Sequence, residues 1–312
     1  MIAFGPVPSR RLGLSLGINN IVSHKDCTYS CVYCQIGVTR DKSITRKPFY
    51  EPGKLFEEVQ KHLDKLDTAH KPDFLTFVAN GEPTLDSNLG EEIQLLKQLN
   101  IPIAIISNAS LINQEDVQND LLNADWVSLK VDSVDEQVWR SINQPHSHLK
   151  LKTILEGITS FASVYKGRLQ TETMLIDQVN DSPELLEQNA RFIAALNPET
   201  AYLSIPTRPP ALKTVHTITE ANLTRAWHVY SDHGIKTELL AGFEGTDTGY
   251  TGNAFEDILN ISAVHPIRED TMGALLAKDQ SDFSVVESLL SQRLIKQVRY
   301  NNLSYYVRSY NF

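Results

Sequence analysis

Three cysteines are the residues of this sequence whose type and spacing most clearly indicate chemistry. Cys27, Cys31 and Cys34 are the only cysteines of the 312-residue chain, and they lie in one C-x3-C-x2-C segment. An odd number packed this closely is not a disulfide framework, so the segment predicts a metal site in a reducing compartment. Three thiolates can bind three irons of a four-iron four-sulfur cubane and leave the fourth iron open. The alternative is a structural zinc site with His24 as the fourth ligand.

The cysteine segment resembles the signature of the radical S-adenosylmethionine (SAM) superfamily, including an aromatic residue, Tyr33, just before the last cysteine. The resemblance implies an enzyme with two cofactors, a 4Fe-4S cluster and SAM. It implies that the open iron chelates the amino and carboxylate groups of SAM. Cleavage of SAM then gives a 5'-deoxyadenosyl radical that abstracts hydrogen from the substrate. The resemblance also implies that Tyr33 packs near the adenine.

A second motif, Asn80-Gly81-Glu82-Pro83, directly follows a predicted strand over residues 74–79. A Gly-Glu-Pro sequence by itself is typical of a turn. Placed at a strand end after the cysteine segment, it resembles the G-G-E-P motif of the same superfamily, with Asn80 in place of the first glycine. The resemblance implies that its backbone and its acidic side chain bind the amino group of SAM.

Polar residues also follow two further predicted strands. Ser107 and Asn108 come after the strand at residues 101–106, and Lys130 and Asp132 lie at the end of the strand at residues 126–131. Members of the superfamily often use polar residues at these two strand ends to contact the carboxylate or ribose of SAM, so the resemblance implies the same here. Lys130 has two further interpretations, a plain salt bridge and a Schiff base with a carbonyl substrate.

Residues 4–13 and 130–145 resemble a narrower group, the Fe-S oxidoreductases that are grouped with wyosine-synthetase-like radical SAM proteins. Wyosine synthetases modify a guanosine of tRNA with pyruvate and a second cluster. The chain has no further cysteines for such a cluster, which argues against that specific activity. In this N-terminal segment, Arg10 and Arg11 either bind a phosphate or carboxylate of a substrate or tie the segment to the barrel. Arg208 has the same two interpretations.

The pattern of apolar runs predicts the elements that position these residues. Short apolar strands alternate with helix-like stretches, which predicts an α/β fold with a parallel sheet covered by helices. Six such units predict a partial (β/α)6 TIM-like barrel with its site at the C-terminal strand ends. The predicted strands span residues 12–18, 74–79, 101–106, 126–131, 169–176 and 201–205, and a strand at 235–240 closes the domain. The predicted helices span residues 54–66, 89–99, 116–123, 149–165, 183–196 and 219–233.

The C-terminal part of the chain predicts a separate small module. We divide the chain into a barrel domain (1–242), a glycine-rich linker or lid (243–255) and a winged-helix-like module (256–312). Three predicted helices (254–264, 268–278, 284–292) precede two strands (294–300, 303–309) that flank an Asn-Asn turn. No Asp or Glu occurs from residue 288 onward, and the basic residues there are Arg293, Lys296, Arg299 and Arg308. They form either a solvated basic face or a binding patch.

The net charge and the hydropathy pattern limit the kinds of partner that we expect. The formal net charge of −9 gives no overall argument for nucleic acid. No apolar run is long enough for a membrane span and no signal peptide is evident, so we expect a cytoplasmic protein without a membrane partner. The expected partners are SAM, an electron donor such as flavodoxin or ferredoxin, and a substrate. An RNA nucleoside is the first substrate hypothesis, a peptide the second and a small metabolite the third. A non-enzymatic, metal-dependent nucleic-acid-binding protein is the alternative function.

Overall fold

Eight strands form one sheet in which spatial order follows chain order in this computed structural model, which describes residues 2–22, 25–66 and 70–309. The strands are β1 (Ala3–Ser9), β2 (Gly13–Ile18), β3 (Phe74–Phe77), β4 (Ile103–Ser107), β5 (Trp126–Lys130), β6 (Arg168–Met174), β7 (Thr200–Ser204) and β8 (Thr237–Leu240). β1 and β2 form an antiparallel hairpin, and every later pair is parallel. The sheet curls into a half-barrel with β1 and β8 at its edges, which confirms the predicted partial TIM-like barrel.

Helices cover the outer face of this sheet. They are α1 (Pro52–Leu63), α2 (Leu89–Leu96), α3 (Glu115–Leu121), α4 (Glu136–Asn143), α5 (Leu151–Val164), α6 (Pro183–Leu196) and α7 (Glu220–Asp232). Their ends follow local capping rules. For example, α6 begins at Pro183 after the N-cap Ser182, whose hydroxyl accepts from the backbone N–H of Leu185, and it ends at Asn197 in the left-handed conformation. All the predicted barrel helices are present, and α4 is an additional one.

The main core lies between the sheet and the helices, and a smaller cluster lies inside the half-barrel. Along β4, Ile103 and Ile105 belong to the main core, whereas Ala104 and Ile106 belong to the inner cluster. This alternation is the two-residue period of a strand buried on both faces. The filled interior leaves the C-terminal strand ends as the place where polar side chains gather. No helix in the described ranges is long and apolar enough to cross a membrane.

The C-terminal elements form a second packed unit. They are α8 (Ala254–Val264), β9 (Ile267–Arg268), α9 (Glu269–Lys278), α10 (Ser284–Ser291), β10 (Ile295–Tyr300) and β11 (Leu303–Arg308). The three strands pair in the order β10-β11-β9, and β9 is a strand that the sequence pattern did not predict. Helix α8 begins at Ala254, two residues before the predicted start of the module at residue 256. The predicted domain boundaries and the winged-helix-like assignment stay predictions.

The second unit packs along the open edge of the barrel. Its hydrophobic cluster includes Val7 of β1, the edge strand. The hydroxyl of Tyr300 donates to the carbonyl of Pro206 at 2.9 Å, and the hydroxyl of Tyr305 donates to the carbonyl of Thr207 at 3.1 Å. The unit is therefore anchored to the loop that follows β7.

The basic side chains of the hairpin do not share one face. Lys296 pairs with Val307, whereas Arg299 pairs with Ser304, and the two basic residues are three positions apart on β10. Side chains an odd number of residues apart on a strand point to opposite faces. Lys296 therefore lies on the same face as Tyr300, which contacts the barrel. This geometry argues against one continuous basic patch on the hairpin.

Candidate active site

The cysteine segment is held between the loop after β3 and the end of helix α4. On one side, the backbone N–H of Asp26 donates to the carbonyl of Asn80 at 3.2 Å, and the N–H of Glu82 donates to the carbonyl of Asp26 at 3.0 Å. On the other side, the N–H of Ser30 donates to the carbonyl of Asn143 at the end of α4, at 3.0 Å. These backbone bonds fix the segment at the C-terminal ends of the strands.

Gly81 is required for this close packing. Its φ is +146°, and a Cβ placed there would lie 1.6 Å from the carbonyl oxygen of Asp26. No side chain fits at that distance, so only glycine allows the loop after β3 to pair with the segment that leads into Cys27. The motif Asn80-Gly81-Glu82-Pro83 thus positions the cysteines. Gly81 and Glu82 line the cavity described below, whereas Asn80 and Pro83 lie behind its wall.

Each cysteine sulfur has one side-chain N–H donor from a different segment. The distances are 3.6 Å from Asn108 Nδ2 to Cys27 Sγ, 3.4 Å from Asn143 Nδ2 to Cys31 Sγ and 3.1 Å from Lys25 Nζ to Cys34 Sγ. Hydrogen bonds of this kind stabilise iron-bound thiolates and tune the potential of a cluster. The donor set therefore suits three thiolates.

The electrostatics of the free thiols also favour a cationic centre. Burial raises the pKa of Cys27 to about 11 and the pKa of Cys31 to about 12. Their thiolates would therefore form only with a compensating charge such as bound iron. In the described part of the chain, no three His, Cys, Asp or Glu side chains converge on a position for a single metal ion. A cubane instead binds each cysteine to a different iron. His24, the fourth ligand of the zinc alternative, lies outside the described residues.

Glu82 joins the ends of β3 and β4. Its carboxylate accepts from the hydroxyls of Thr84 and Ser107, both at 2.7 Å, and from the backbone N–H groups of Thr84 at 3.1 Å and Asn108 at 2.7 Å. Burial raises the pKa of Glu82 above its ordinary value, and these hydrogen bonds to the ionised form oppose that shift. Glu82 and Asn108 both line the cavity, so the carboxylate holds a rigid wall there.

Asp132 organises the opposite wall. Its Oδ2 accepts from the hydroxyl of Tyr33 at 2.5 Å and from Nδ2 of Asn143 at 2.7 Å, and its Oδ1 accepts from the backbone N–H of Met174 at 2.9 Å. Asp132 therefore fixes the orientation of Tyr33 and of the Asn143 amide that reaches Cys31. Tyr33 lines the cavity, whereas Asp132 lies behind it.

Lys130 forms a buried ion triad with Glu172 and Arg11. Lys130 Nζ lies 2.8 Å from Glu172 Oε1, and Arg11 binds the other carboxylate oxygen. Burial alone would lower the pKa of Lys130, but the carboxylates of Glu172 and Asp132 outweigh it and raise that pKa. Lys130 thus remains an ammonium group, as in the salt-bridge interpretation, with its Nζ 5.0 Å from the ring centroid of Tyr33.

These residues surround one cavity of about 260 Å³ at the C-terminal strand ends. The three cysteines, Gly81 and Glu82 line part of this cavity, and Arg10, Arg11 and Arg208 line another part. We call the first part the sulfur-lined end and the second part the cationic end. The two ends adjoin, because Nη1 of Arg208 donates to Oε1 of Gln35, the residue after Cys34, at 2.8 Å.

Lys25, Asn143 and Glu172 were not predicted as site residues from the sequence. Glu172 could have been predicted as a site residue from the sequence. An acidic residue inside a strand of a parallel sheet that is covered on both faces must face a polar partner or a cavity. Lys25 lies two residues before Cys27 but carries no periodic pattern. Asn143 ends α4, a helix that the pattern missed.

Residues 21–188, more than half of the sequence, match the radical SAM superfamily. The chain belongs to the radical SAM superfamily. Over 99% of its length it is 45% identical to a UPF0026 protein of Methanocaldococcus jannaschii, of which it covers 96%. Enzymes of this superfamily use a 4Fe-4S cluster and SAM, which confirms the predicted cofactors and the prediction of an enzyme.

Solved radical SAM structures share the fold. A structure of TYW1 with a lysine-pyruvate adduct bound has a TM-score of 0.55 and 16% identity, over 71% of this chain and 75% of that one. Streptococcus suis SuiB bound to the precursor peptide SuiA has a TM-score of 0.56 and 13% identity, over 76% of this chain and 51% of that one. At these identities the likeness establishes the barrel architecture alone.

Proposed function

We propose that this chain is a radical SAM enzyme in which Cys27, Cys31 and Cys34 hold the cluster and the 260 Å³ cavity holds SAM and the reacting part of the substrate. The observation that carries this proposal is the set of three sulfurs at one end of the cavity, each with its own N–H donor. Bound together, the cluster and SAM supply the radical that abstracts hydrogen from the substrate.

The lining of the cavity also supports proposed roles for the residues that would surround SAM. We assign the amino-group contact to the Gly81–Glu82 wall, which the hydrogen bonds of Glu82 keep rigid. Ser107 and Asn108 form the adjoining surface, and the ring of Tyr33 faces the cavity from the other side. Asp132 acts as a positioning residue for Tyr33, because its carboxylate lies behind that ring.

The C-terminal unit is proposed as a winged-helix-like module that covers the open edge of the barrel. Its order of helix, strand, two helices and hairpin supports this assignment. Gln35 of the cysteine loop donates to the carbonyl of Val264 at 2.7 Å, so the module also reaches the neighbourhood of the cluster. Excluding water and oxygen from the cavity is the role that these contacts support best.

Three substrate classes remain as proposals, and a small metabolite is the third of them. An RNA nucleoside is expected from the resemblance to wyosine-synthetase-like proteins, although helix α10, in the position of a recognition helix, carries no lysine or arginine. A peptide is the second candidate, because SuiB, which shares the barrel, has been solved with its precursor peptide. A flavodoxin or ferredoxin in the cytoplasm is the proposed source of the electron.

Anaerobic reconstitution tests the proposed function. We expect about four irons and four sulfides per chain, and we expect methionine and 5'-deoxyadenosine when the reduced protein is incubated with SAM. Cys31→Ala is expected to abolish both cluster assembly and SAM cleavage, whereas Ser160→Ala, on the exposed face of α5, is the matched control. Eight irons per chain, or stoichiometric zinc without iron, would contradict the proposal.

A further inference from the structure

We propose that the cationic end of the cavity is an anion subsite, in which Arg10, Arg11 and Arg208 bind a carboxylate or phosphate group of the substrate. The inference rests on the proposed function, because the subsite lies in the cavity that faces the cysteines. It names the chemical class that the enzyme recognises, a substrate with an anionic group.

The three arginines reach this end from two distant segments. Arg10 and Arg11 lie in the turn between β1 and β2, and Arg208 lies in the loop after β7. Their side chains are 21%, 17% and 17% exposed, so each guanidinium is largely removed from water. A planar guanidinium presents paired donors that match a carboxylate or a phosphate.

The charges at this end are unbalanced. Arg10, Arg11, Arg208 and Lys130 give four positive charges. Glu172 and Glu244, which contact them, and Asp132, whose carboxylate also raises the pKa of Lys130, give three negative charges. Four minus three leaves a surplus of one positive charge. Burying uncompensated cations is costly, and a substrate anion would offset that cost.

The neighbouring histidine does not change this balance. His265 Nε2 contacts Nη2 of Arg208 at 2.6 Å. Burial and the neighbouring Arg208 lower the pKa of His265 to about 3, so the ring is neutral at physiological pH. A neutral ring nitrogen can accept from the guanidinium and help to orient it. The surplus charge therefore remains available to a ligand.

Glu244 occupies two of the three guanidinium groups that the ligand anion would use, although Glu244 itself does not line the 260 Å³ cavity. One oxygen of its carboxylate contacts both Arg208 and Arg10, the latter at 3.4 Å. The residue belongs to a glycine-rich segment, and Gly245 next to it adopts φ +107° with open space around its Cβ position. We infer that Glu244 is an internal stand-in for the substrate anion and competes with it for the same two guanidinium groups.

The position of Arg208 also leaves room for a larger substrate. A second cavity of about 230 Å³ lies beneath the C-terminal module, and Pro206, Thr207 and Arg208 line both cavities. Apolar side chains such as Ile267 and Leu303 line this second cavity. An anion bound at Arg208 would therefore lie between the sulfur-lined end and a space for the rest of the substrate.

A purely structural role for these arginines is the competing explanation. Arg10 donates to the carbonyls of Leu240 at 2.5 Å and Gly242 at 3.0 Å, so it also ties the N-terminal turn to the segment after β8. The two explanations predict different effects of Glu244→Gln on the strength of anion binding. If Glu244 competes with a ligand, its neutralisation strengthens anion binding. If it only ties segments together, its neutralisation leaves anion binding unchanged or weakens it.

The test is calorimetric titration of the full-length, anaerobically reconstituted protein with inorganic phosphate and with propionate. Propionamide serves as the neutral probe. We expect saturable binding of at least one anion and none of propionamide, and the preferred anion identifies phosphate or carboxylate as the natural group. Arg208→Gln is expected to weaken binding roughly tenfold or more, as for the loss of a hydrogen bond between charged groups. Glu244→Gln is expected to strengthen it severalfold.

Controls separate the subsite from general charge effects and from the proposed function. Arg168→Gln and Glu199→Gln make the same changes in an exposed ion pair at the opposite end of β6 and β7, and they are expected to leave both affinities unchanged. Absence of saturable anion binding, or unchanged or weaker binding in Glu244→Gln, would overturn the proposal. SAM cleavage is measured on the same samples. Anion binding without SAM cleavage would refute the proposed function alone, and SAM cleavage without anion binding would refute the subsite alone.

Discussion

The ammonium group of Lys25 lies 3.1 Å from the sulfur of Cys34 and also donates to the carbonyl of Gly37. Burial alone would lower the pKa of Lys25, but the nearby cysteine sulfurs, above all Cys34, raise it above the ordinary value. A fixed positive charge beside a cluster thiolate stabilises the extra electron of the reduced cluster.

We therefore expect Lys25→Met to lower the reduction potential of the cluster. A unit charge at this range corresponds to a change of roughly 50 to 150 mV. A redox titration followed by electron paramagnetic resonance measures the potential without a substrate. Lys166→Met, an exposed lysine after α5, is the matched control and should leave the potential unchanged. An unchanged potential in Lys25→Met with normal iron content would show that Lys25 has only a structural role.

Glu82→Gln tests the wall of the cavity that is proposed to contact SAM. The glutamine amide can replace only one acceptor oxygen, and its NH2 group would face a backbone N–H donor, either that of Asn108 or that of Thr84. We expect SAM binding to weaken by about tenfold or more, with iron content intact. Equilibrium dialysis with labelled SAM measures this affinity. Glu91→Gln, on the exposed face of α2, is the control. Unchanged SAM affinity with slower substrate turnover would contradict the assignment.

His265 should make stability depend on pH. Its folded pKa of about 3 lies below the ordinary value of 6.5, so the unfolded chain binds a proton that the folded chain does not. Stability is therefore complete above about pH 6.5 and falls as the pH drops from there towards 3. We expect His265→Gln to flatten the fall between pH 6.5 and 5, measured by denaturant unfolding under anaerobic conditions. His148→Gln, at an exposed position, should retain the wild-type slope. Equal slopes in wild type and His265→Gln would refute the prediction.

Local patterns predicted much of the fold because local chemistry sets the element ends. Helix α6 is predicted and observed at residues 183–196, since Ser182 caps it and Pro183 fits its first turn. Strand β1 was missed because its prolines, Pro6 and Pro8, are unusual in strands. An edge strand tolerates them, since half of its backbone N–H groups have no partner strand. Helix α4 was missed because its only buried apolar residues are Trp139 and Ile142, too few for a clear helical pattern, although Asp135 caps it.

The cysteine loop and the motif at Gly81 were predictable, whereas the long-range pairs around them were not. The C-x3-C-x2-C spacing and the position after β3 are local features. Glu172, by contrast, acquires its role from Arg11 and Lys130, which lie far from it in the sequence and meet it only when the half-barrel curls. A single sequence contains no pattern that predicts these long-range contacts of Glu172. The same holds for the cap that the C-terminal module forms over the loop after β7.

The C-terminal module provides the last prediction. Two roles fit such a module, recruitment of a partner and coverage of the open side of the barrel. The contacts of Tyr300 and Tyr305 with the loop after β7, and of Gln35 with Val264, favour coverage. On that basis we propose that the module protects the cavity and the cluster, and we expect its removal to affect the cluster before it affects any partner.

Truncation after residue 252 removes the whole module, because helix α8 begins at Ala254. We expect the shortened protein to lose solubility or to lose its cluster in air several times faster than the full chain, because Val7 and the cavity become exposed.

The double variant Tyr300→Phe, Tyr305→Phe keeps the module but removes two anchoring hydroxyls, so its cluster should bleach at an intermediate rate. Visible absorbance after a fixed dose of oxygen measures that rate, with Tyr50→Phe, remote from the module, as the control.

A truncated protein that folds, keeps its cluster as long as the full chain and cleaves SAM would instead support recruitment. In that case the loss of RNA or peptide binding, compared at two salt concentrations, would identify the partner, because contacts to phosphates weaken steeply with salt.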